Sequence, residues 1–211
     1  MKNKILFGTL VGTGIILLLL VVANKSSVDA GMSYRGSGLP EEEKKIEKVI
    51  ENWYEIQTTA RAGGGDVSRY PEVLVDTGDY PIDEEQRALI EEVYGKERAR
   101  TAGFLTMMQV QDMLVGQGSE MLKDAIKKAR EENRELTKKD LDELQAKNHG
   151  QILGIVDKST HKTELAFEAI EIANGKTTAR VYDGGGLREF ILVQIDGQWF
   201  ISSGKTLRID V

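Results

Sequence analysis

Glu164-Leu165-Ala166-Phe167-Glu168-Ala169-Ile170-Glu171-Ile172-Ala173 leads into Asn174-Gly175, and Lys176-Thr177-Thr178-Ala179-Arg180-Val181-Tyr182 follows. Asp183-Gly184-Gly185-Gly186 then precedes Leu187-Arg188-Glu189-Phe190-Ile191-Leu192-Val193-Gln194-Ile195, and Asp196-Gly197 precedes Gln198-Trp199-Phe200-Ile201-Ser202. Asn-Gly and Asp-Gly accept positive φ at both corners of a tight hairpin turn. Each pair lies between apolar runs of strand length, so the stretch predicts an antiparallel meander. Such a sheet must bury one face, and the sequence upstream is helical, which gives an α+β domain.

One strand carries a second signal. Leu165, Phe167 and Ala169 alternate on one parity, whereas Ile170 and Ile172 continue on the other. A change of phase inside a strand predicts a β-bulge, and bulges bend sheets. Glu168 and Arg180, near the Asn174-Gly175 turn, are expected to form a cross-strand ion pair.

Outward from the meander, residues 41–211 read as one domain. Pro40 opens a helix and Glu41, Glu42 and Glu43 suit its positive end. Ile46, Val49, Ile50, Trp53, Tyr54 and Gln57 form a single stripe along it, and Gly63-Gly64-Gly65 ends it. This helix is the natural cover for the sheet. Asp66 to Ile82 is mostly loop. Asp83 with Gln86 has capping-box spacing ahead of Leu89, Ile90, Val93 and Tyr94. Thr101 to Val115, with Met107, Met108 and Met113, has an ambiguous period that favours helix over strand, and its methionines favour core filling over lining a groove. Ser119 to Leu136 predicts a further helix, Thr137 with Asp140 caps another that buries Leu141 and Leu144, and Gln151 to Val156 predicts a first strand.

The N-terminus supplies an address. Ile5 to Ala23 carries no charge over nineteen residues and follows Lys2 and Lys4. At about 1.5 Å per residue this spans roughly a bilayer's hydrocarbon core. Residues 1–24 therefore predict a single-pass anchor with a cytoplasmic N-terminus and an extracytoplasmic remainder. A cleaved signal segment is the other reading, since Val28 and Ala30 have the small-residue spacing of a cleavage site, and cleavage after Ala30 would give a secreted protein. Gly8 and Gly12 put small residues on one face of the span, a candidate helix-dimer contact. Residues 25–40 read as a Ser- and Gly-rich flexible linker.

The chemistry is defined mainly by exclusion. A formal charge of −6 is wrong for a general nucleic-acid binder. With no cysteine, disulfide frameworks, thiolate metal sites and thiol nucleophiles drop out. His149 and His161 have no partner at metal-ligand spacing, so no metal is expected. Gly63–Gly65 follows a helix and Gly184–Gly186 joins two strands, so neither has the strand-to-helix context of a phosphate cradle. Asp76, Asp79 and Asp83 lack the calcium-loop pattern and read as a solvated turn. No catalytic residue and no cofactor is assigned. Trp53, Tyr54, Tyr182, Phe190 and Trp199 are candidate lining for a pocket between first helix and sheet, with core packing as the plainer use.

The long helix bearing Trp53-Tyr54 and the bulged meander ending Asp196-Gly197-Gln198-Trp199-Phe200-Ile201-Ser202 resemble the nuclear-transport-factor-2-like superfamily, the SnoaL-like or cystatin-like cone folds. The helical stretch Glu84 to Asn148 is longer than a minimal cone needs. The resemblance implies a cone, and in the family's enzymes an Asp–His or Tyr–Asp pair inside it; no residues of this sequence match such a pair. One span followed by an exported cone resembles the bitopic scaffold subunits of conjugation and type IV secretion channels. The expectation is a non-catalytic, membrane-anchored interaction domain of a bacterial envelope assembly, with itself or other envelope proteins as partners. The alternative is a small-molecule-binding or catalytic cone, which predicts an open pocket of roughly 300 Å³ or more beside Trp53 and Tyr182.

Overall fold

The structure is a computed structural model, and it describes residues 35–36, 40–148, 164–173 and 176–209. The span 5–23 with Gly8 and Gly12, the linker up to 34, the cleavage position after Ala30, the strand at 151–156, the Asn174-Gly175 turn, His149 and His161 all lie outside the described residues. No helix among the described residues is long and apolar enough to cross a membrane.

The chain is α+β. A two-residue strand β1 (Arg35–Gly36) precedes five α-helices: α1 (Pro40–Ala62), α2 (Glu84–Tyr94), α3 (Lys96–Thr101), α4 (Phe104–Glu131) and α5 (Lys138–Lys147). A 3-10 turn at Tyr70–Glu72 separates α1 from α2. Strands β2 (Ala166–Ala173), β3 (Lys176–Tyr182), β4 (Gly186–Ile195) and β5 (Gln198–Ile209) form the expected antiparallel meander, and β1 joins β2 in parallel at its edge.

The meander's local grammar holds. Asp196 and Gly197 both take positive φ, 50° and 81°, as a tight β4–β5 turn requires. The β2–β3 register slips between Phe167 and Ala169, so Glu168 is the extra residue of a bulge where the phase changes. Two further slips lie between β4 and β5, leaving Ser202 and Leu207 as extra residues. Each bulge bends its strand.

Register also sorts the two faces. Ile170, Ala179, Phe190 and Gly204 lie in one row across β2–β5, and Ile172, Thr177, Leu192 and Ile201 in the next. Most of these are buried, and they meet α1 through Ile46, Ile50, Trp53, Ile56 and Ala60. Burying each of the larger aliphatic side chains contributes about 1.5–3 kcal/mol. The opposite face carries a charged row in which Glu189 accepts from Arg180 at 3.1 Å and pairs with Lys205 at 2.8 Å. This corrects the expected Glu168–Arg180 pair: the bulge takes Glu168 out of register, and Arg180 turns to Glu189 instead.

The stripe of α1 also differs in detail. It continues through Ile56, while Gln57 makes a polar contact described below. The two predicted helices at Thr101–Val115 and Ser119–Leu136 are one rod, α4, starting at Phe104 and ending at Glu131. Gly116 and Gly118 lie in its interior, although glycine there costs about 1 kcal/mol. Contact explains the continuity. A Cβ on Gly116 would lie 2.2 Å from the Gly65 nitrogen and 2.9 Å from the Ala60 carbonyl oxygen, so α4 crosses the end of α1 backbone to backbone. Gly65 (φ 88°) is equally constrained, with its Cβ position 2.3 Å from the Met113 oxygen.

A second apolar cluster joins α2 and α3 to the first turns of α4 through Ile90, Ala99, Met107, Val110 and Leu114. Both capping boxes form, Asp83 with Gln86 on α2 and Thr137 with Asp140 on α5. Tyr94 is 39% exposed, Leu141 is exposed and Leu144 only half-buried, contrary to the buried roles expected of them; Tyr94 is the last residue of α2, and α5 buries no residue at all.

Outside the helices, the loop after the 3-10 turn runs along β5. Val75 N–H donates to the Ile201 carbonyl and Ile201 N–H to the Val73 carbonyl. The same loop then reaches α4, where Asp76 accepts from the Thr106 backbone N–H at 3.1 Å and from its hydroxyl. Asp76 thus caps α4 from a distance, since Gly103 at the cap position has no side chain to do so. Of the three aspartates read as a solvated turn, Asp76 caps α4 and Asp83 caps α2.

Candidate functional site

Three places merit a functional reading: the seam between α1 and the sheet, a polar network along α1, and a groove at the start of α1.

The seam is filled. Trp53 and Phe190 are buried within the main core, and Tyr54 packs against that core with its ring edge-on to Phe190 at 6.2 Å. Trp53 in turn meets Tyr70 edge-on at 5.1 Å. Trp199 is buried at the other end of the seam, where its indole N–H donates to Glu42 at 2.9 Å. Tyr182 shares its parity with Arg180 and pairs with Ala166 and Leu187, so it lies on the far face of the sheet. The structure therefore brings Trp53, Tyr54 and Phe190 together, sets Trp199 beside the first turn of α1, and separates Tyr182 from them all.

Tyr54, Gln57 and Arg61 follow one another at i, i+3 and i+7 beside the apolar stripe of α1. Gln57 donates to Asp112 at 3.0 Å, Arg61 donates to it through Nε at 2.5 Å with its Nη2 in ion-pair contact, and the Tyr70 hydroxyl donates at 2.8 Å. Asp112, on α4, has no exposed side-chain surface, yet Oδ2 receives two hydrogen bonds and Oδ1 one together with the guanidinium charge. Such full satisfaction makes a buried carboxylate tolerable. Tyr70 is pushed well above the usual phenol pKa, by burial first and by the Asp112 charge second. One turn earlier on α1, Tyr54 donates to Asp183 at 2.9 Å, and Arg188 pairs with the same oxygen at 2.5 Å. Burial, and then the Asp183 charge, raise the Tyr54 pKa in the same way. Phenols held protonated and already donating to a carboxylate are poorly disposed to exchange protons with a substrate near neutral pH. Tyr54 ties α1 to the β3–β4 turn, and Tyr70 ties the 3-10 turn to α4.

Sequence reasoning missed Asp112, Arg61, Tyr70, Asp183 and Arg188. The one available signal was Gln57 on an otherwise apolar stripe, since a polar side chain facing a core needs a partner.

The groove is the most open of the three. Lys44, Lys45, Lys48 and Val49 of α1 face Gly197, Gln198 and Trp199 of the β4–β5 turn across about 430 Å³. Its rim is cationic and its floor apolar. Lys45 pairs with Glu42 at 2.6 Å, which with the Trp199 indole lowers the Glu42 pKa. A second depression of about 390 Å³ follows Lys123, Ile126, Lys127 and Arg130 on α4. Among the described residues no group of acidic or histidine side chains is arranged to hold a metal ion.

The chain matches no family model, no curated protein and no solved structure.

Proposed function

We propose that this chain is a non-catalytic, membrane-anchored interaction domain of a bacterial envelope assembly, carried outside the cytoplasm by residues 5–23 and built on a nuclear-transport-factor-2-like cone. The observation that carries the non-catalytic part is the filled seam: Trp53, Ile50 and Phe190 occupy the space a ligand would need. A bulged meander wrapped on a long helix supports the cone. The uncharged N-terminal run behind two lysines supports the anchor.

Protease accessibility tests the address. In spheroplasts expressing the full chain with a C-terminal epitope, external protease is expected to remove the epitope while the chain stays with carbonate-washed membranes. Protection of the epitope until the cells are lysed would overturn the reading.

A second reading, a ligand-binding or catalytic cone, draws on Tyr54–Asp183, a Tyr–Asp pair of the kind the resemblance implies for enzymes. Both groups are largely buried beside Arg188, and no open pocket of the two described above adjoins them. This favours a structural use of the pair.

A further inference from the structure

We infer that the border of β2 is a docking edge for an extended, basic segment of another protein, and that β1 is a short strand which that segment displaces; this rests on the proposed role as an interaction domain. The sheet has two sides, β5 on one and β2 with its short neighbour β1 on the other. On the β5 side the loop at residues 73–75 engages both backbone groups of Ile201, and the register slips again at Leu207. The β2 side is more open. Of the eight residues Ala166–Ala173, β1 meets only Ala169 and Ile170. Among the described residues no strand lies against Glu171, Ile172 or Ala173 on that side, and Ala166, Glu171 and Ala173 are exposed. Strands ordinarily run about three to ten residues, so a two-residue strand is a weak competitor for a border of this length. Such a border pairs readily with an incoming extended peptide, whose backbone supplies affinity and whose alternate side chains supply specificity.

The chemistry of the occupant follows from the border and from β1. Glu164 to Ala173 holds three glutamates, Glu164, Glu168 and Glu171, and no lysine or arginine. On β3, Arg180 stands opposite Ala169 but is bonded to Glu189 at 3.1 Å and feels Glu171 and Glu168 less, while Lys176 stands opposite Ala173 at the strand's end. β1 runs parallel to β2 and places Arg35 opposite Ala169, a register position between Glu168 and Glu171. A displacing segment therefore runs the same way and carries a basic residue at that position. A second copy is the poorer occupant, because its β5 border is obstructed and its β1 is engaged on its own β2.

The test uses the full chain in detergent micelles and a labelled synthetic peptide of residues 31–38, Gly-Met-Ser-Tyr-Arg-Gly-Ser-Gly, followed by fluorescence anisotropy. Gly36→Pro removes a backbone N–H and fixes φ, which dislodges β1. This variant is expected to bind the peptide about ten-fold or more tightly than the natural chain, whose border is occupied. Because the sequence has no cysteine, Arg35→Cys with Ala169→Cys gives one disulfide between facing positions. Oxidised, that chain is expected to bind no peptide; reduction is expected to return binding to at least the natural level. With β1 dislodged, Glu171→Lys is expected to weaken the peptide several-fold, and a peptide with glutamate in place of its arginine to recover the loss. Melting followed by circular dichroism checks that each variant folds. If Gly36→Pro melts early, the oxidised and reduced states of the locked chain make the same comparison.

Equal binding by the natural, Gly36→Pro and locked chains overturns the proposal, as does binding by none of them. So does a Gly36→Pro chain that ignores the peptide but dimerises in sedimentation, which assigns the border to a second copy. The two readings fail separately: an exported domain that ignores the peptide sinks only this inference, whereas a protected epitope sinks the address whatever the peptide does.

Discussion

The sheet and the α1–α4 crossing make a useful contrast. In the meander, turns, alternation and a bulge are all written within about ten residues of where they act: Asp196-Gly197 turns the chain it sits in, and the phase change at Glu168 bends its own strand. The crossing depends on residues 51 positions apart in the case of Gly65 and Gly116, and on Asp112 meeting Gln57, Arg61 and Tyr70 from α1 and its following loop. The sheet is held mainly by apolar rows and ladder hydrogen bonds, the crossing by one satisfied carboxylate and a backbone-to-backbone approach. Local grammar tolerates local damage; a crossing built on single atoms does not.

Experiments can press on this difference. The broadest effect is expected from alkali. Tyr54 and Tyr70, one on each side of the contrast, have folded pKa values raised above the ordinary phenol value near 10. Folding thus favours their protonated forms, and their stabilising contribution is complete below pH 10 and declines as pH climbs beyond it. Both should ionise only as the chain unfolds, so part of the tyrosinate absorbance at 295 nm should rise together with loss of the far-ultraviolet signal. Complete ionisation of a still-folded chain would contradict this.

Asp112→Ala comes next. It leaves Arg61, Gln57 and the Tyr70 hydroxyl without their acceptor, an expected loss of about 3–5 kcal/mol in urea unfolding. Gly116→Ala follows. In an open helix this change stabilises by roughly 1 kcal/mol, but here the new methyl meets the Gly65 backbone, and the expected result is a loss of about 3 kcal/mol. Gly197→Ala is the matching change in the sheet: nothing lies within 4 Å of the added carbon, so only the positive φ opposes it, at about 1 kcal/mol. If Gly197→Ala proved the more damaging of the two, the contrast would be reversed.

The smallest effect is confined to α5. Asp140 accepts from Thr137 and Arg134, which lowers its pKa from 3.8 to about 2. A depressed carboxylate stabilises the fold above its unfolded pKa and loses that contribution as acid titrates the folded group. Amide exchange in α5 should therefore quicken between about pH 4 and pH 2 while α1 stays protected.

How much could be read beforehand follows the same division. The β3–β5 strands, the Asp196-Gly197 turn, the bulge, α1 and both capping boxes are legible because each signal is local. Tyr94 and Leu141 misled because periodicity marks a helix face but not where its cover ends. Dividing α4 into two helices failed for a different reason: Gly116 packs on Gly65, and nothing in the spacing connects them. The candidate site was least legible, because a buried carboxylate on α4 looks like any other aspartate until its donors arrive from α1.

The loop at residues 73–75 has one more consequence. By bonding to both backbone groups of Ile201 it blocks the border strand β5 at that position, where an extended peptide from elsewhere could otherwise add itself to the sheet. The remaining border, Lys205 to Ile209, carries two cations and an extra residue at Leu207 that throws the ladder out of step. Strand-by-strand growth into fibrils is thereby discouraged at both parts of that border.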